Sequence, residues 1–456
     1  MNYEEIVGRQ RAFFRTNKTL PVKARLGALE RLRRAIHFYE EDILAALQCD
    51  LGKSSTESYM TEVGTVLSEL SYIKKNLPAW AKRQKVPTPL AQFPAKSYTL
   101  ARPYGLCLII APWNYPFMLS IDPLLGAIAA GNCAIVKPSE YAPATAKIVK
   151  KIIAQCFPPE YITVIEGGRE ETQALLDQKF DHIFFTGSAA VGQEVLKKAA
   201  VHLTPVTLEL GGKSPCIIDR SADLDLAAKR IVFGKLLNCG QTCVAPDYVL
   251  IDSRVKEPFI CSLKKWIGRM YGEDALSRDG YVHMISERHF DRVLRLIDPE
   301  KVVIGGESNR ENLKIQPTVL DGVSPEDAVM QEEIFGPVLP ILTVDSMAEA
   351  LDFVRDRPAP LALYLFTARR SVKARFTEEV PFGGGCVNDT IVHLATNHMP
   401  FGGVGPSGMG AYHGKRSFET FSHQKSIMER STRLDLPVRY PPYTKLSDRM
   451  IRRFLK

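Results

Sequence analysis

Between residues 104 and 218 the chain passes through four apolar segments of strand length, at 106–110, 133–136, 161–165 and 182–185. Segments of helical spacing separate them, at about 123–130, 144–155 and 171–178. No other feature restricts the fold so tightly. A strand that is apolar on both faces needs cover on both, and strands joined through helices return parallel. In such a sheet, ligands sit beyond the carboxyl ends of the strands. The residues just after each strand are therefore informative: Pro112-Trp113-Asn114, Lys137-Pro138-Ser139-Glu140, Gly167-Gly168 and Thr186-Gly187-Ser188. An amide, an ammonium, a carboxylate and a glycine turn are expected along one edge.

Two of these strand ends have more than one reading. The stretch from Thr186 to Gly192 leads from strand into helix, where free N–H groups favour an anion such as a pyrophosphate. Its glycines, Gly187 and Gly192, do not match the G-x-G-x-x-G spacing, and a plain strand-to-helix turn has the same signature. Lys137 fits either a solvated surface lysine or a tethered head group that meets a ribose or phosphate.

The chain of 456 residues exceeds one ordinary hydrophobic core, so two or more domains are expected. Its formal charge of +8 comes from basic residues interspersed with acids, which indicates solubility and no nucleic-acid partner. Nine cysteines at irregular spacings imply reduced thiols and a cytoplasmic location, with no disulfide framework. The N-terminal residues lack an uninterrupted apolar run, so no secretory leader is expected. The most apolar stretches are too short or too interrupted to span a bilayer.

Residues 1–80 read as helical cover for the sheet, and the three prolines Pro87, Pro89 and Pro94 then interrupt any helix. Residues 97–101 form the next expected element, a short exposed strand in a linker or an arm that reaches a partner subunit. Beyond residue 218 a helix at 223–237 delivers Asn238-Cys-Gly-Gln-Thr-Cys-Val-Ala-Pro246, and 248–251 is a strand. The segment around Cys243 is small, polar and nearly uncharged. Such surroundings suit a thiolate nucleophile, which needs backbone N–H groups and room for a substrate. Cys239 and Cys243 also fit the description of ordinary buried thiols. A zinc site is not indicated, since no second Cys/His pair lies at ligand spacing, and no metal is expected. Six glycines between Gly402 and Gly414 mark backbone that turns tightly or approaches something closely.

Taken in order, Asn114, Lys137, the 186–192 turn, Glu209-Leu-Gly-Gly-Lys213, Gly240-Gln-Thr-Cys243, Glu333-Ile-Phe-Gly-Pro337 and Pro400-Phe-Gly-Gly403 resemble the aldehyde dehydrogenase superfamily. The resemblance covers nearly the whole chain. The segment 240–248, the run 400–423 and Arg439-Tyr-Pro-Pro442 look most like the class 3 branch, which includes fatty and aromatic aldehyde dehydrogenases. One departure is Ala189, where many relatives carry a hydroxyl; backbone donors survive it.

The resemblance implies an α/β fold with a Rossmann-type cofactor domain (1–85 and 102–210), an α/β catalytic domain (211–420), a small β oligomerisation arm and strap (86–101 and 421–442) and an amphipathic tail (443–456). It implies oxidation of an aldehyde, medium- to long-chain aliphatic or aromatic, to a carboxylic acid with NAD or NADP. Cys243 is then the nucleophile, Asn114 with the Cys243 N–H the oxyanion donor, and Glu209 the base for water; the bland reading of Glu209 is a surface carboxylate. Lys137 and Glu140 would hold the adenosine ribose, Ser188 and its neighbours the pyrophosphate, and Glu333 with Phe335 the nicotinamide ribose. Pro112, Trp113, Ser139, Gly187, Gly192, Leu210, Gly211 and Phe401 complete the implied cofactor site. A homodimer is the implied assembly.

Three other functions compete. A thiol esterase needs no dinucleotide site, a binding protein needs no Cys243, and an acylating enzyme that releases its thioester to coenzyme A needs no Glu209. In the tail, Leu446, Met450, Ile451, Phe454 and Leu455 recur at helical spacing among basic residues, with Ser447 and Asp448 as the expected N-cap. So short a helix needs a surface. The candidates are the mouth of the aldehyde tunnel, a subunit neighbour or peripheral contact with an anionic membrane, against a frayed end.

Overall fold

The computed structural model describes residues 2–455, except the side chain of Phe454. Its organising element is a six-stranded sheet. Five parallel strands, β1 (Leu106–Ile110), β2 (Cys133–Lys137), β3 (Ile162–Val164), β4 (His182–Thr186) and β5 (Val206–Glu209), lie in the order 5-4-1-2-3. A two-residue strand, Gly408–Met409, closes the edge antiparallel to β5. The chain thus winds outward from β1 to β3 and then crosses to the other side of β1. That reversal opens a crevice between the carboxyl ends of β1 and β4.

Helix α1 (Met118–Ala130) covers this sheet and is buried along its whole length. It begins five residues before the expected start at Pro123, which lies inside it. The early start is supplied from outside the helix, since the Glu62 carboxylate accepts the N–H groups of Phe117 and Met118 at 2.9 and 3.2 Å. Helix α2 (Pro143–Cys156) and the N-terminal helices pack beside it, with an apolar core between them. Helix α3 (Ala189–Ala200) leaves the carboxyl end of β4, and Ser188 caps it.

The second sheet has seven strands. Its parallel members are β6 (Pro215–Ile218), β7 (Tyr248–Asp252), β8 (Thr318–Leu320), β9 (Val338–Val344), β10 (Ala362–Phe366) and β11 (Gly384–Val387). They run in the order 8-9-7-6-10-11, and Val302–Ile304 pairs antiparallel beside β8. Alternate residues of β7 enter two different cores: Val249 and Ile251 join the one shared with the first sheet, Tyr248 and Leu250 the one on the far face. The strands β1, β2, β6, β7 and β10 are buried along their whole length, so residues that point to either face are covered.

A third sheet stands apart. Ala95–Pro103 pairs with Ser422–Arg430 over nine residues, and Gln84–Val86 adds a third strand. The strand expected at 97–101 is therefore longer than its exposed centre suggested, and it is half-buried under its partner. The tail forms the helix Lys445–Phe454, capped by Thr444, whose Oγ1 accepts the Ser447 N–H at 3.1 Å. Ser447 is buried inside that first turn, so the cap lies three residues earlier than expected. The helix lies against the turns 90–92 and 437–439. None of its described residues reaches the crevice.

Candidate active site

The loop that carries Cys243 is shaped by backbone constraint. Helix α4 (Leu224–Leu236) ends just before Asn238, Cys239 and Gly240, which all have positive φ (52, 54 and 74°). Gly240 is required there: a Cβ would meet the Gly336 carbonyl oxygen at 2.2 Å. Buried side chains hold the two non-glycine residues in this conformation. Asn238 donates through Nδ2 to the carbonyls of Asn114 (2.8 Å) and Gln241 (3.0 Å), and its own N–H meets Glu57 Oε1 at 2.8 Å. Gln241 Nε2 donates to the carbonyls of Asn238 and His283, at 3.2 and 3.1 Å.

This turn separates the two cysteines. Cys239 points into the core, where its thiol meets the Tyr281 hydroxyl at 3.5 Å. Cys243 is half-buried and lies on the wall of two cavities. The first, about 350 Å³, is the crevice beyond β1 and β4; the second, about 180 Å³, is almost wholly apolar. Leu119, Phe401 and Tyr412 also line both, so the thiol stands where the cavities meet.

Most of the residues named from the sequence line the crevice: Pro112, Trp113, Asn114, Gly187, Ser188, Glu209, Leu210, Gly211, Glu333, Phe335 and Phe401. The other four lie outside its wall. Lys137 is buried at the end of β2 and donates to the Pro138 carbonyl at 2.8 Å, Ser139 accepts the Tyr141 N–H at 3.2 Å, and Glu140 is exposed near Gly168. Gly192 lets α3 pack on the strand end, where a Cβ would come within 2.7 Å of Leu210.

The crevice also holds residues that sequence reasoning passed over. His289, Arg292, Glu332 and Tyr412 line it. His289 and Arg292 come from the helix Glu287–Leu294, which is charged on its outer face and shows no motif. Trp113 packs edge-on against both His289 and Phe335, with ring centroids 5.0 and 5.4 Å apart. Arg292 donates to the Glu333 and Ile334 carbonyls, at 3.1 and 2.5 Å, and so ties that helix to the Glu333 loop. The apolar cavity adds Met60, Thr65, Tyr115, Phe233, Ile391 and Val392, from four separate parts of the chain.

The site is acidic yet desolvated. Burial raises the Glu209 carboxyl well above the usual range, and neither oxygen has a hydrogen-bond partner among the described residues. Burial, then Asp247, pushes Glu333 up to about 8. Burial, then Glu333 and Glu209, raises the Cys243 thiol, against the backbone N–H groups of Cys243 and Val244, which favour the thiolate. Burial thus disfavours the charged forms of all three groups.

The donor set fits a dinucleotide. Helix α3 starts at the crevice wall, where Gly187 and Ser188 lie, and the N–H groups of a helix's first turn suit phosphate oxygens; the Gly187 N–H itself donates to the Glu209 carbonyl at 3.0 Å. Thr186 Oγ1 and both Glu209 oxygens are buried on that wall without partners among the described residues. Gly211 has no side chain where one would strike Glu333 Oε2, at 2.1 Å, so this carboxylate can lie along the crevice floor.

Comparison with known proteins gives a consistent picture. The family model described as the aldehyde dehydrogenase family matches residues 1–427. The chain is 49% identical over 435 residues to 4,4'-diaponeurosporen-aldehyde dehydrogenase of Staphylococcus aureus, with 95% of each chain covered. It is 48% identical to aldehyde dehydrogenase family 3 member A2 of Macaca fascicularis, across 96% of this chain and 91% of that one. A dimeric NADP-preferring aldehyde dehydrogenase of Canis lupus familiaris is 47% identical, across 96% and 97%. Among solved structures, the substrate-bound state of Staphylococcus aureus AldH superimposes with a TM-score of 0.98 at 48% identity, over the full length of both chains.

Proposed function

The chain belongs to the aldehyde dehydrogenase family, and from that premise we propose that it oxidises long-chain aliphatic or aromatic aldehydes to carboxylic acids with Cys243 as nucleophile. The enzyme is an NAD(P)-dependent aldehyde dehydrogenase. One observation carries the substrate class: Cys243 lies between a polar crevice and an apolar cavity walled by Met60, Tyr115, Met118, Phe233 and Ile391. An apolar cavity favours a hydrocarbon tail, at about 25 cal/mol per Å² of apolar surface withdrawn from water.

In this reading the Cys243 thiolate adds to the carbonyl carbon, and the oxygen that gains charge meets the Asn114 amide and the Cys243 backbone N–H. Asn114 lines the crevice and spends one amide N–H on the Gln241 carbonyl at 3.1 Å, which leaves the other for the substrate oxygen. A nicotinamide dinucleotide, when bound along the crevice, supplies the two-electron acceptor that converts the sulfur-bound alkoxide into a thioester. Gly187 and Ser188 would hold its pyrophosphate, Glu333 and Phe335 its nicotinamide ribose, and Lys137 and Glu140 its adenosine ribose. Glu209 then takes a proton from the water that adds to the thioester carbon. The carbon–sulfur bond breaks, the acid leaves, and the thiol is restored.

The elements around the six-stranded sheet are assigned to cofactor binding and those around the seven-stranded sheet to the thiol. The exposed strand Ser422–Arg430, at the edge of the third sheet, supports a homodimer, and a relative is named as dimeric. Nine free thiols support a cytoplasmic location. The basic tail helix supports peripheral contact with an anionic membrane, which salt-sensitive binding to liposomes would test.

The substrate class is tested with a panel of aliphatic aldehydes of increasing length and of aromatic aldehydes, each with NAD and with NADP, read by nicotinamide absorbance. The expected result is kcat/KM that rises with apolar size. A preference for the shortest aldehydes would sink the proposal.

A further inference from the structure

Two charged side chains are completely buried beside the site and take no part in it. Lys53 and Glu62 are each 0% exposed, with Nζ 2.6 Å from Oε1. Neither lines the crevice or the apolar cavity. Lys53 comes after the helix Glu40–Leu51 and a left-handed Gly52, and Glu62 lies in the π-helical turn Tyr59–Val63, so both come from the N-terminal cover of the sheet.

Their remaining polar contacts converge on one short stretch of backbone. Lys53 Nζ donates to the Asn114 carbonyl at 3.1 Å and lies 4.1 Å from the centre of the Tyr115 ring. Glu62 Oε2 accepts the N–H groups of Phe117 and Met118. The pair therefore grips the chain at both ends of the segment 114–118. The same Asn114 carbonyl accepts Asn238 Nδ2, while the Asn114 side chain is anchored on Gln241, so the grip continues into the Cys243 loop. Tyr115 extends it, its hydroxyl 2.6 Å from Thr242 Oγ1.

A buried ion pair is a poor source of stability, because apolar residues of similar size often serve as well or better. What it does supply is direction. Two charges with several short hydrogen bonds define one backbone position, and a displacement of about 1 Å at a reacting group costs on the order of 10²-fold in rate. We propose that the Lys53–Glu62 pair is a positioning device for the aldehyde reaction: it fixes the backbone of Asn114 so that the free N–H of its amide meets the oxygen that becomes an alkoxide on Cys243. This rests on the reading of Asn114 as the oxyanion donor.

The test uses the full-length enzyme and the rate of the first-turnover burst of reduced cofactor. Asn114→Ala should slow the burst by roughly 10²- to 10³-fold, the cost of a lost oxyanion donor. Lys53→Met, and the doubly uncharged Lys53→Met/Glu62→Met, which leaves no orphaned charge to unfold the protein, should each slow it by roughly 10- to 100-fold. Cofactor affinity, measured by fluorescence titration, should not change. In the Asn114→Ala background, Lys53→Met should add less than about a twofold loss, because residues that act through one contact are not additive. A normal burst in the double variant with full cofactor affinity would overturn the proposal. So would an equal loss from Lys53→Met with and without Asn114, which would mean that the pair acts elsewhere. If Asn114→Ala alone left the burst intact, the oxyanion reading itself would fail, and the positioning role with it.

Discussion

Replacing Glu209 with glutamine should remove activity without weakening the fold, and the structure gives the sign of both effects. Glu209 ends β5, 3% exposed, and neither oxygen has a partner among the described residues. Glutamine keeps its shape and has no charge to desolvate. In the wild type, burial holds the carboxyl well above its ordinary 4.5. Below that value both folded and unfolded chains carry the proton, and the two proteins are equal. Above it the unfolded chain loses the proton while the folded one keeps it, so wild-type stability falls by ~1.4 kcal/mol per pH unit until the folded carboxyl ionises. Unfolding 456 residues releases ~1 kcal/mol/K of entropy, at ~2.1 cal/mol/K per residue. The Tm of the variant should therefore gain on wild type by ~1.4 °C per pH unit across that window. Catalysis should move the other way: steady-state turnover falls by ~10²- to 10⁴-fold as the base for water is lost. The first-turnover burst should survive nearly unchanged. Calorimetry over a pH series and stopped-flow absorbance read the two effects independently. Equal losses in burst and steady state would show that Glu209 activates the thiol instead, and a lower Tm at every pH would show that it is structural.

The geometry also sets the outcome of two other changes. Cys243→Ala should abolish aldehyde-dependent cofactor reduction while Cys239→Ala keeps most of it, because only Cys243 faces the cavities; the opposite pattern in a steady-state assay would reverse the assignment. Deletion of residues 445–456 should leave the ratio of kcat/KM for long- and short-chain aldehydes unchanged, since no described residue of the tail lines either cavity. A selective loss for long chains would place the tail at a substrate entrance in the assembled enzyme.

The tail shows why the structure changed one reading and not others. Its helical periodicity was legible, but periodicity says only that an apolar face needs cover. The turns 90–92 and 437–439 supply that cover at the third sheet, away from the expected tunnel, and the cap is Thr444, through its own bonds to Ser447. The same holds for α1: its expected start was about residue 123, while Glu62, more than fifty residues upstream, accepts the N–H groups of Phe117 and Met118 and lets the helix begin earlier.

By itself the sequence determined the sheet and the places where chemistry can gather. Continuous apolar runs between helical segments admit only strands covered on both faces, and that burial demand is local, written within five or six residues. It also determined which residue types come directly after each strand, and so brought Asn114 and Ser188 into view before any packing was known, while Glu209 and Glu333 came into view through the family resemblance. Only the tertiary structure decided which thiol opens to the cavities, that Lys137, Ser139 and Glu140 stand outside the crevice wall, and that His289 and Arg292 line the crevice while Met60 lines the apolar cavity. The bond from Asn238 to Glu57 spans 181 residues, and that from Lys53 to Asn114 spans 61. Hydrogen bonds of this reach leave no periodicity in the chain, because each partner is chosen by the packing of whole sheets and helices and not by its neighbours in sequence.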